Sequence, residues 1–147
     1  MSYPPRQSEY LQAHTSQERL AASMLNHRDL AIPYLSSVKV WRERWRCQVC
    51  PRRQYDDMGE AMNHKRNNNH PVEQMFYEVD LQLFPPRKIA VEIYGEGTSS
   101  FDRERQEFLH AQRWRVFYVS NETIEKRPDE FVQLVSLIKV VVEAGML

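Results

Sequence analysis

The sequence carries no net charge, because its 20 lysine and arginine residues are balanced by 20 aspartate and glutamate residues. Whole-molecule attraction to a polyanion is therefore excluded, and any affinity for nucleic acid has to come from local basic patches. The sequence also lacks an apolar run of about eighteen residues, which excludes a membrane-spanning helix. Its first residues lack the apolar segment of a secretory signal, so we expect an intracellular protein and leave a mitochondrial location open.

Internal repeats and low-complexity tracts are absent as well. The composition is that of an ordinary globular protein, with 41% hydrophobic and 27% charged residues. A chain of 147 residues has the length of one domain. We therefore expect a single domain over residues 15–147, preceded by a flexible arm over residues 1–14 that is rich in proline, serine and glutamine.

Hydrophobic periodicity predicts, in order, a helix, three strands, a helix, a strand and a closing helix, which together indicate an α/β fold. A capping-box pattern from Thr15 to Glu18 favours a first helix over about residues 16–26. The double proline at 85 and 86 predicts a tight reversal that places the second and third strands side by side. The predicted strands cover residues 38–45, 76–83, 88–94 and 114–119, and the later helices cover 102–112 and 128–144. The expected inner face of the closing helix is formed by Phe131, Leu134, Val135, Ile138 and Val142.

Both cysteines and two of the five histidines follow the spacing C-x2-C-x13-H-x5-H, which is typical of a zinc finger. Zinc favours four tetrahedral soft or borderline ligands, so we expect a structural zinc ion in an insertion over residues 45–71. An alternative is that the cysteines are buried thiols and the last histidine is a loop residue. The predicted zinc ligands are Cys47, Cys50, His64 and His70.

Within this insertion, the three asparagines at 67–69 are expected to loosen the end of a helix so that the two histidines can converge. Tyr55 and Met62 are expected to pack beneath the metal, because so short a segment cannot build a core of its own. The long interval between the histidines resembles that of zinc fingers that bind double-stranded RNA.

Basic residues cluster along the chain, and this segregation suits a basic groove around an acidic metal centre, although solvated surface charge explains it as well. Positively charged side chains in such clusters bind phosphates. The predicted nucleic-acid contacts are Arg52, Arg53, Lys65, Arg66, Lys88, Arg103 and Arg105.

Asp80 and Glu92 are acidic residues inside two otherwise apolar strands that the proline turn makes neighbours. A carboxylate in such a place is costly unless it is paired or bound to a metal ion. Two carboxylates that meet across a hairpin form an oxygen site for Mg²⁺, which can activate water and neutralise charge on a scissile phosphate. The alternative is that each side chain points to solvent on the polar face of its strand.

These acids belong to a longer pattern that spans residues 72 to about 138. The pattern comprises Val79-Asp80-Leu81, Lys88 to Gly95, Asp102 to Arg105, Leu109, and Arg113 to Phe117. It resembles the very-short-patch-repair endonuclease branch of the PD-(D/E)XK nuclease superfamily.

The resemblance implies a restriction-endonuclease-like mixed central sheet flanked by helices, with the finger as an insertion. It also implies catalytic Asp80 and Glu92 as Mg²⁺ ligands and Glu18 as a third acid, although Glu18 is explained equally well as the capping-box partner of Thr15. Tyr94 stands where these families place an acid or the motif lysine, and the loop over residues 95–100 lacks their histidine.

Lys88, Arg103 or Arg105 could replace the absent catalytic group, and no spacing argument selects one of them. The stretches Glu92 to Gly95 and Gln112 to Val116 also resemble RAP domains of organellar RNA-binding proteins. Our leading hypothesis is therefore a catalytically reduced, RNA-associated or ribonucleoprotein component, with other proteins as further partners. The alternative is an active Mg²⁺-dependent endonuclease acting on DNA or RNA, and a third hypothesis is a purely structural or protein-binding role.

Overall fold

The computed structural model describes residues 16–27, 29–50, 53–95 and 103–147. Several predictions lie outside these residues: the arm over residues 1–14, the cap at Thr15, the phosphate contact of Arg52, Asp102 of the nuclease-like pattern, and the loop beyond Gly95. Packing divides the chain into two compact units. We call residues 39–78 the finger unit and the described parts of 16–38 and 79–147 the core unit.

Five helices and five strands lie within the described residues. They follow in the order α1 (Ser16–Leu25), β1 (Tyr34–Cys47), β2 (Gln54–Tyr55), α2 (Met58–Asn68), β3 (Val72–Leu83), β4 (Ile89–Tyr94), α3 (Arg103–Ala111), β5 (Arg115–Ser120), α4 (Asn121–Lys126) and α5 (Pro128–Glu143).

The strands form one mixed sheet in the order β2-β1-β3-β4-β5. In the finger unit, β1 and β2 are antiparallel, with Trp45 opposite Tyr55. In the core unit, β3 and β4 are antiparallel, with Leu81 opposite Val91, as the proline turn predicts. β4 and β5 are parallel. A mixed sheet flanked by helices confirms the α/β fold.

The core unit buries a hydrophobic cluster against one face of its strands. Alternate residues of β3, β4 and β5 supply the sheet side of the cluster, and α1, α4 and α5 supply the helical side. Since neighbouring residues of a strand point to opposite faces, the side chains between them lie on the other face. The principal members are Ala21, Leu25, Leu81, Leu83, Ile89, Val91, Val119, Ile124, Phe131, Val135, Ile138 and Val142.

The closing helix, α5, was predicted over residues 128–144 and is found at Pro128–Glu143. Four of its five predicted inner residues are buried, and the fifth, Leu134, is half-buried against the cluster. This helix is 16 residues long. No described helix combines the length and the apolar content needed to cross a bilayer.

Other boundaries differ from the predictions. β1 begins at Tyr34 rather than at residue 38, and β3 begins at Val72 rather than at residue 76. The two-residue β2 and the six-residue α4 were not predicted. α4 buries a single residue, Ile124, so it has no periodic pattern to detect. Ser120 caps the N-terminus of α4, because its side chain accepts a hydrogen bond from the backbone N–H group of Thr123 at 3.1 Å.

We expect Phe131→Ala to lower the free energy of unfolding by about 3–5 kcal/mol, because this fully buried ring leaves a cavity in the cluster. Urea unfolding followed by circular dichroism measures the change. Leu137→Ala on the same helix is the control, since Leu137 is 62% exposed and its truncation is expected to cost about 0.5 kcal/mol or less. Equal losses in the two variants would contradict this orientation of α5.

Candidate metal centre and carboxylate pair

The four predicted metal ligands come together in the finger unit. Cys47 ends β1, Cys50 follows in a turn, His64 lies on α2, and His70 follows that helix. One donor atom from each residue lies within 4.8 Å of the donor atoms of the other three. These four residues are therefore positioned to bind a metal ion.

The turn after β1 prepares Cys47 to act as a thiolate. The backbone N–H groups of Val49 and Cys50 donate to its Sγ atom at 3.3 Å and 3.2 Å. Burial raises the pKa of the Cys47 thiol, but these hydrogen bonds, the Cys50 thiol and the charge of Arg53 together hold that pKa below its usual value. Burial and the neighbouring Cys47 raise the pKa of the Cys50 thiol. A bound cation would favour the deprotonated form of both.

His64 has a buried ring nitrogen without a protein partner. The ring is 7% exposed, its Nδ1 atom lies 3.2 Å from the side-chain amide of Asn68, and its Nε2 atom has no hydrogen-bond partner. Burial, followed by the charges of His70 and Arg53, lowers the pKa of His64. The neutral imidazole is the form that ligates metal ions, and a metal ion would explain the unpaired Nε2 atom.

His70 reaches the sulfur atoms because α2 stops sharply. Asn69 caps the helix in the left-handed conformation, with φ of 53°, so the chain turns back as the asparagine run predicts. The Nδ1 atom of His70 then lies 3.5 Å from the Sγ atom of Cys47 and 3.6 Å from that of Cys50. Of the two residues expected beneath the metal, Tyr55 places its ring 5.5 Å from that of His64, and Met62 is half-buried.

Asp80 and Glu92 meet on one face of the core unit. The register of β3 and β4 places them opposite each other, one step beyond the pair Leu81–Val91. The Oδ2 atom of Asp80 accepts the N–H group of Ile93 at 2.8 Å, and the Oε2 atom of Glu92 accepts the N–H group of Asp80 at 3.3 Å. Glu92 is 6% exposed, so the solvent-facing alternative does not hold for this residue.

Arg105 of α3 approaches the carboxylate pair from the neighbouring helix. Its Nη2 atom donates to the Oε1 atom of Glu92, and both side chains are largely buried. Burial, followed by the negative charge of Asp80, raises the pKa of Glu92 to about 8, although Arg105 opposes this shift. The raised pKa favours the protonated form of Glu92 at neutral pH, and Arg105 places a positive charge beside the pair.

Lys88 and Arg103 were the other two candidates to replace the absent catalytic group, and both have partners other than the carboxylates. Lys88 donates its Nζ atom to the carbonyl oxygen of Gln112 at 2.9 Å. Arg103 pairs with Glu107 at 3.1 Å on the exposed side of α3. The structure thus selects Arg105 as the basic residue at the carboxylates.

Glu18, the predicted third acid, is half-buried in the first turn of α1. Among the described residues, only the two cysteines and two histidines form a group of three or more potential ligands within 4.8 Å of one another. Glu18 therefore does not join Asp80 and Glu92 at that distance, and its catalytic role stays a prediction.

Three of the predicted phosphate contacts lie on the finger unit and are exposed. Lys65 and Arg66 stand in the last turn of α2, and Arg66 donates to the side chain of Asn63 at 3.1 Å. Arg53 follows the cysteine turn, where its backbone pairs with both cysteines. The charge of Arg53 acts on Cys47, Cys50 and His64. The contact of all three residues with nucleic acid stays a prediction.

Tyr118 is a further residue at this site that was not predicted. It is paired in register with Glu92 across β4 and β5 and so lies on the same face. Nothing in its apolar strand marks it, because its position depends on a parallel register between distant segments. Tyr118 also lines a cleft of about 570 Å³ on the flank of α3. The other lining residues are Gln106, Glu107, His110, Trp114 and Val116.

Comparisons of the chain with protein-family models, with curated proteins and with solved structures found no match. The resemblance to the very-short-patch-repair branch therefore stays a prediction that depends on the residues quoted for it.

We expect the purified chain to bind one metal ion and His64→Ala to lower its metal content, because His64 supplies one of the four convergent donors and its Nε2 atom has no hydrogen-bond partner. Mass spectrometry under native conditions measures the stoichiometry. In His64→Ala, the backbone amides of α2 should also exchange hydrogen faster than in wild type, because this helix ends at the metal centre. His110→Ala is the control, since His110 lies outside the donor group, and an equal loss of metal there would count against the site.

We expect Glu92→Gln to change how stability depends on pH. A raised pKa means that the folded protein holds a proton on Glu92 that the unfolded chain releases, so wild-type stability falls as pH rises from about 4.5 to about 8. Glutamine removes this dependence. The free energy of unfolding of the variant, relative to that of wild type, should therefore rise by up to about 1.4 kcal/mol per pH unit in that window. Urea unfolding at several pH values measures the gain.

The control for this experiment is Glu143→Gln, because Glu143 is exposed at the end of α5. Its unfolding profile should follow that of wild type. A constant difference between wild type and Glu92→Gln from pH 5 to pH 8.5 would contradict the raised pKa.

Proposed function

We propose that the chain is a nucleic-acid-binding protein with a nuclease-like sheet and reduced catalytic capacity, acting as an RNA-associated or ribonucleoprotein component. The observation that carries the proposal is the contact between Arg105 and Glu92. A metal-dependent nuclease needs its carboxylates available to a divalent cation. Here the chain's own guanidinium balances the pair, which favours binding over hydrolysis.

The metal in the finger unit is proposed to be zinc with a structural role. Two thiolates and two imidazoles are a donor set typical of structural zinc. With zinc–sulfur bonds near 2.3 Å and zinc–nitrogen bonds near 2.0 Å, a tetrahedral site separates sulfur from nitrogen by about 3.5 Å. The separations of 3.5 Å and 3.6 Å between His70 and the two sulfur atoms fit this geometry.

The proposed nucleic-acid contact lies on the finger unit. Residues 39–78 contain eight lysines and arginines and six aspartates and glutamates, a net charge of +2, whereas the rest of the chain carries −2. The exposed side chains of Arg53, Lys65 and Arg66 contribute to this local excess. Local positive charge attracts phosphates even when the whole molecule is neutral.

The second candidate function is an active Mg²⁺-dependent endonuclease. The convergence of Asp80 and Glu92 favours it, because two adjacent carboxylates form an oxygen site for a divalent cation. On this hypothesis Asp80 and Glu92 would hold the divalent cation, which would supply the activation of water and the neutralisation of phosphate charge, and Arg105 would have to release Glu92. Glu18 would then have to approach the pair.

The two functions separate in a combined binding and cleavage experiment. We expect the zinc-loaded chain to bind labelled RNA or DNA without Mg²⁺, and the double variant Asp80→Ala, Glu92→Ala to bind with wild-type affinity. Fluorescence anisotropy measures binding, and gel electrophoresis after incubation with Mg²⁺ or Mn²⁺ measures cleavage. Cleavage by wild type that disappears in the double variant would establish the endonuclease instead.

A charge variant tests the finger contact in the same assay. Lys65→Ala with Arg66→Ala should weaken binding and reduce the slope of log affinity against log salt by up to about two, because each side chain that neutralises a phosphate contributes about one to that slope. Arg127→Ala is a suitable control, since Arg127 is an exposed cation of the core unit that pairs with Glu130 at 3.2 Å. Absence of binding to every nucleic acid tested would refute the proposed function.

A further inference from the structure

The finger unit has an exposed pair of aromatic rings that does not belong to the metal centre. Trp41 of β1 is 53% exposed and Phe76 of β3 is 37% exposed. Their ring centroids lie 5.2 Å apart, with 66° between the ring planes, so they form an edge-to-face pair at the surface. Large apolar groups left together in water are typical of a binding surface.

Lys39 gives this surface a positive charge. Its Nζ atom lies 4.7 Å from the ring centroid of Phe76 and 5.7 Å from that of Trp41, within the range of cation–π contacts. Lys39 and Trp41 are two positions apart on β1, so their side chains leave the strand on the same side. One cation and two aromatic rings thus lie together on this surface of the finger unit.

We propose that Lys39, Trp41 and Phe76, which we call the aromatic platform, bind single-stranded nucleic acid. A base stacks on the exposed Trp41 ring, and the ammonium group of Lys39 contacts the adjoining phosphate. The inference rests on the proposed nucleic-acid-binding function and specifies the form of its ligand. Only unpaired bases can offer their faces to an aromatic side chain, because duplex bases are covered by their neighbours.

The ammonium group of Lys39 favours nucleic acid over an apolar protein segment as the ligand of the platform. An apolar partner would cover Lys39 and leave its ammonium group without a counter-charge, which is costly. A nucleic acid brings a phosphate with each base. Glu43 is exposed two positions beyond Trp41 on β1, and its negative charge would repel further phosphates bound along the strand. The platform is therefore expected to act mainly through stacking.

The test uses the full zinc-loaded chain and fluorescein-labelled oligonucleotides of about twelve nucleotides, a length within the range that small single-strand binders cover. RNA and DNA are each tested as single strands and as duplexes by fluorescence anisotropy. We expect tighter binding of single strands. Trp41→Ala should lower that affinity by about fivefold to 150-fold, since one stacked base contributes about 1–3 kcal/mol.

Two further variants separate stacking from other contributions. Phe76→Leu keeps apolar area but removes a ring, and it should also weaken binding of single strands. Lys65→Ala with Arg66→Ala should change the salt dependence of binding, whereas Trp41→Ala should leave that dependence unchanged. Circular dichroism and zinc content check that each variant folds. Ultraviolet cross-linking of wild type, with the adduct located by mass spectrometry, provides a readout that needs no substitution.

A cross-link at Trp41 or Phe76 and a selective loss of single-strand affinity in Trp41→Ala support the platform. Preference for duplexes, or full single-strand affinity in Trp41→Ala, overturns the platform and leaves the proposed function standing. Wild-type affinity in Phe76→Leu excludes Phe76 from the platform. If wild type binds none of the oligonucleotides, the proposed function fails together with the platform.

Discussion

β4 is hydrogen-bonded to β3 on one side and to β5 on the other, and these two registers decide which side chains share a face of the core unit. The antiparallel register brings Asp80 against Glu92, and the parallel register adds Tyr118. Residues next to Asp80, Glu92 and Tyr118 along their strands point into the hydrophobic cluster on the opposite face. A shift of either register by one residue would exchange apolar and acidic residues between the faces, so the core and the carboxylate pair depend on the same pairing.

Burial of two adjacent carboxylates is costly, and the structure offsets the cost in three ways. Backbone N–H groups donate to each carboxylate, Arg105 supplies a positive charge, and the raised pKa of Glu92 keeps one proton on the pair at neutral pH. The metal centre of the finger unit differs, because the Nε2 atom of His64 is left without any protein partner.

Much of the fold and of the metal centre could be predicted from the sequence, because local patterns encode them. The cysteine and histidine spacing identified all four donors, and the 3.6-residue period of α5 identified its inner face. The start of β3 was missed because polar side chains stabilise that part of the strand. Glu73 at the start of β3 pairs with Arg46, and Gln74 donates to the carbonyl oxygen of Arg42 at 2.8 Å. The role of Arg105 depends on tertiary placement of α3, and the aromatic platform depends on exposure, so neither has a local signal.

The long strand β1 has a consequence for association between copies of the chain. Within the described residues, β2 pairs with two positions of β1, Trp45 and Arg46. The preceding stretch of the strand carries Lys39, Arg42, Glu43 and Arg44. Adding the strand of a second molecule there would strip water from these charged groups. The charge of β1 thus protects this edge against aggregation, although the strand is long and carries the exposed ring of Trp41.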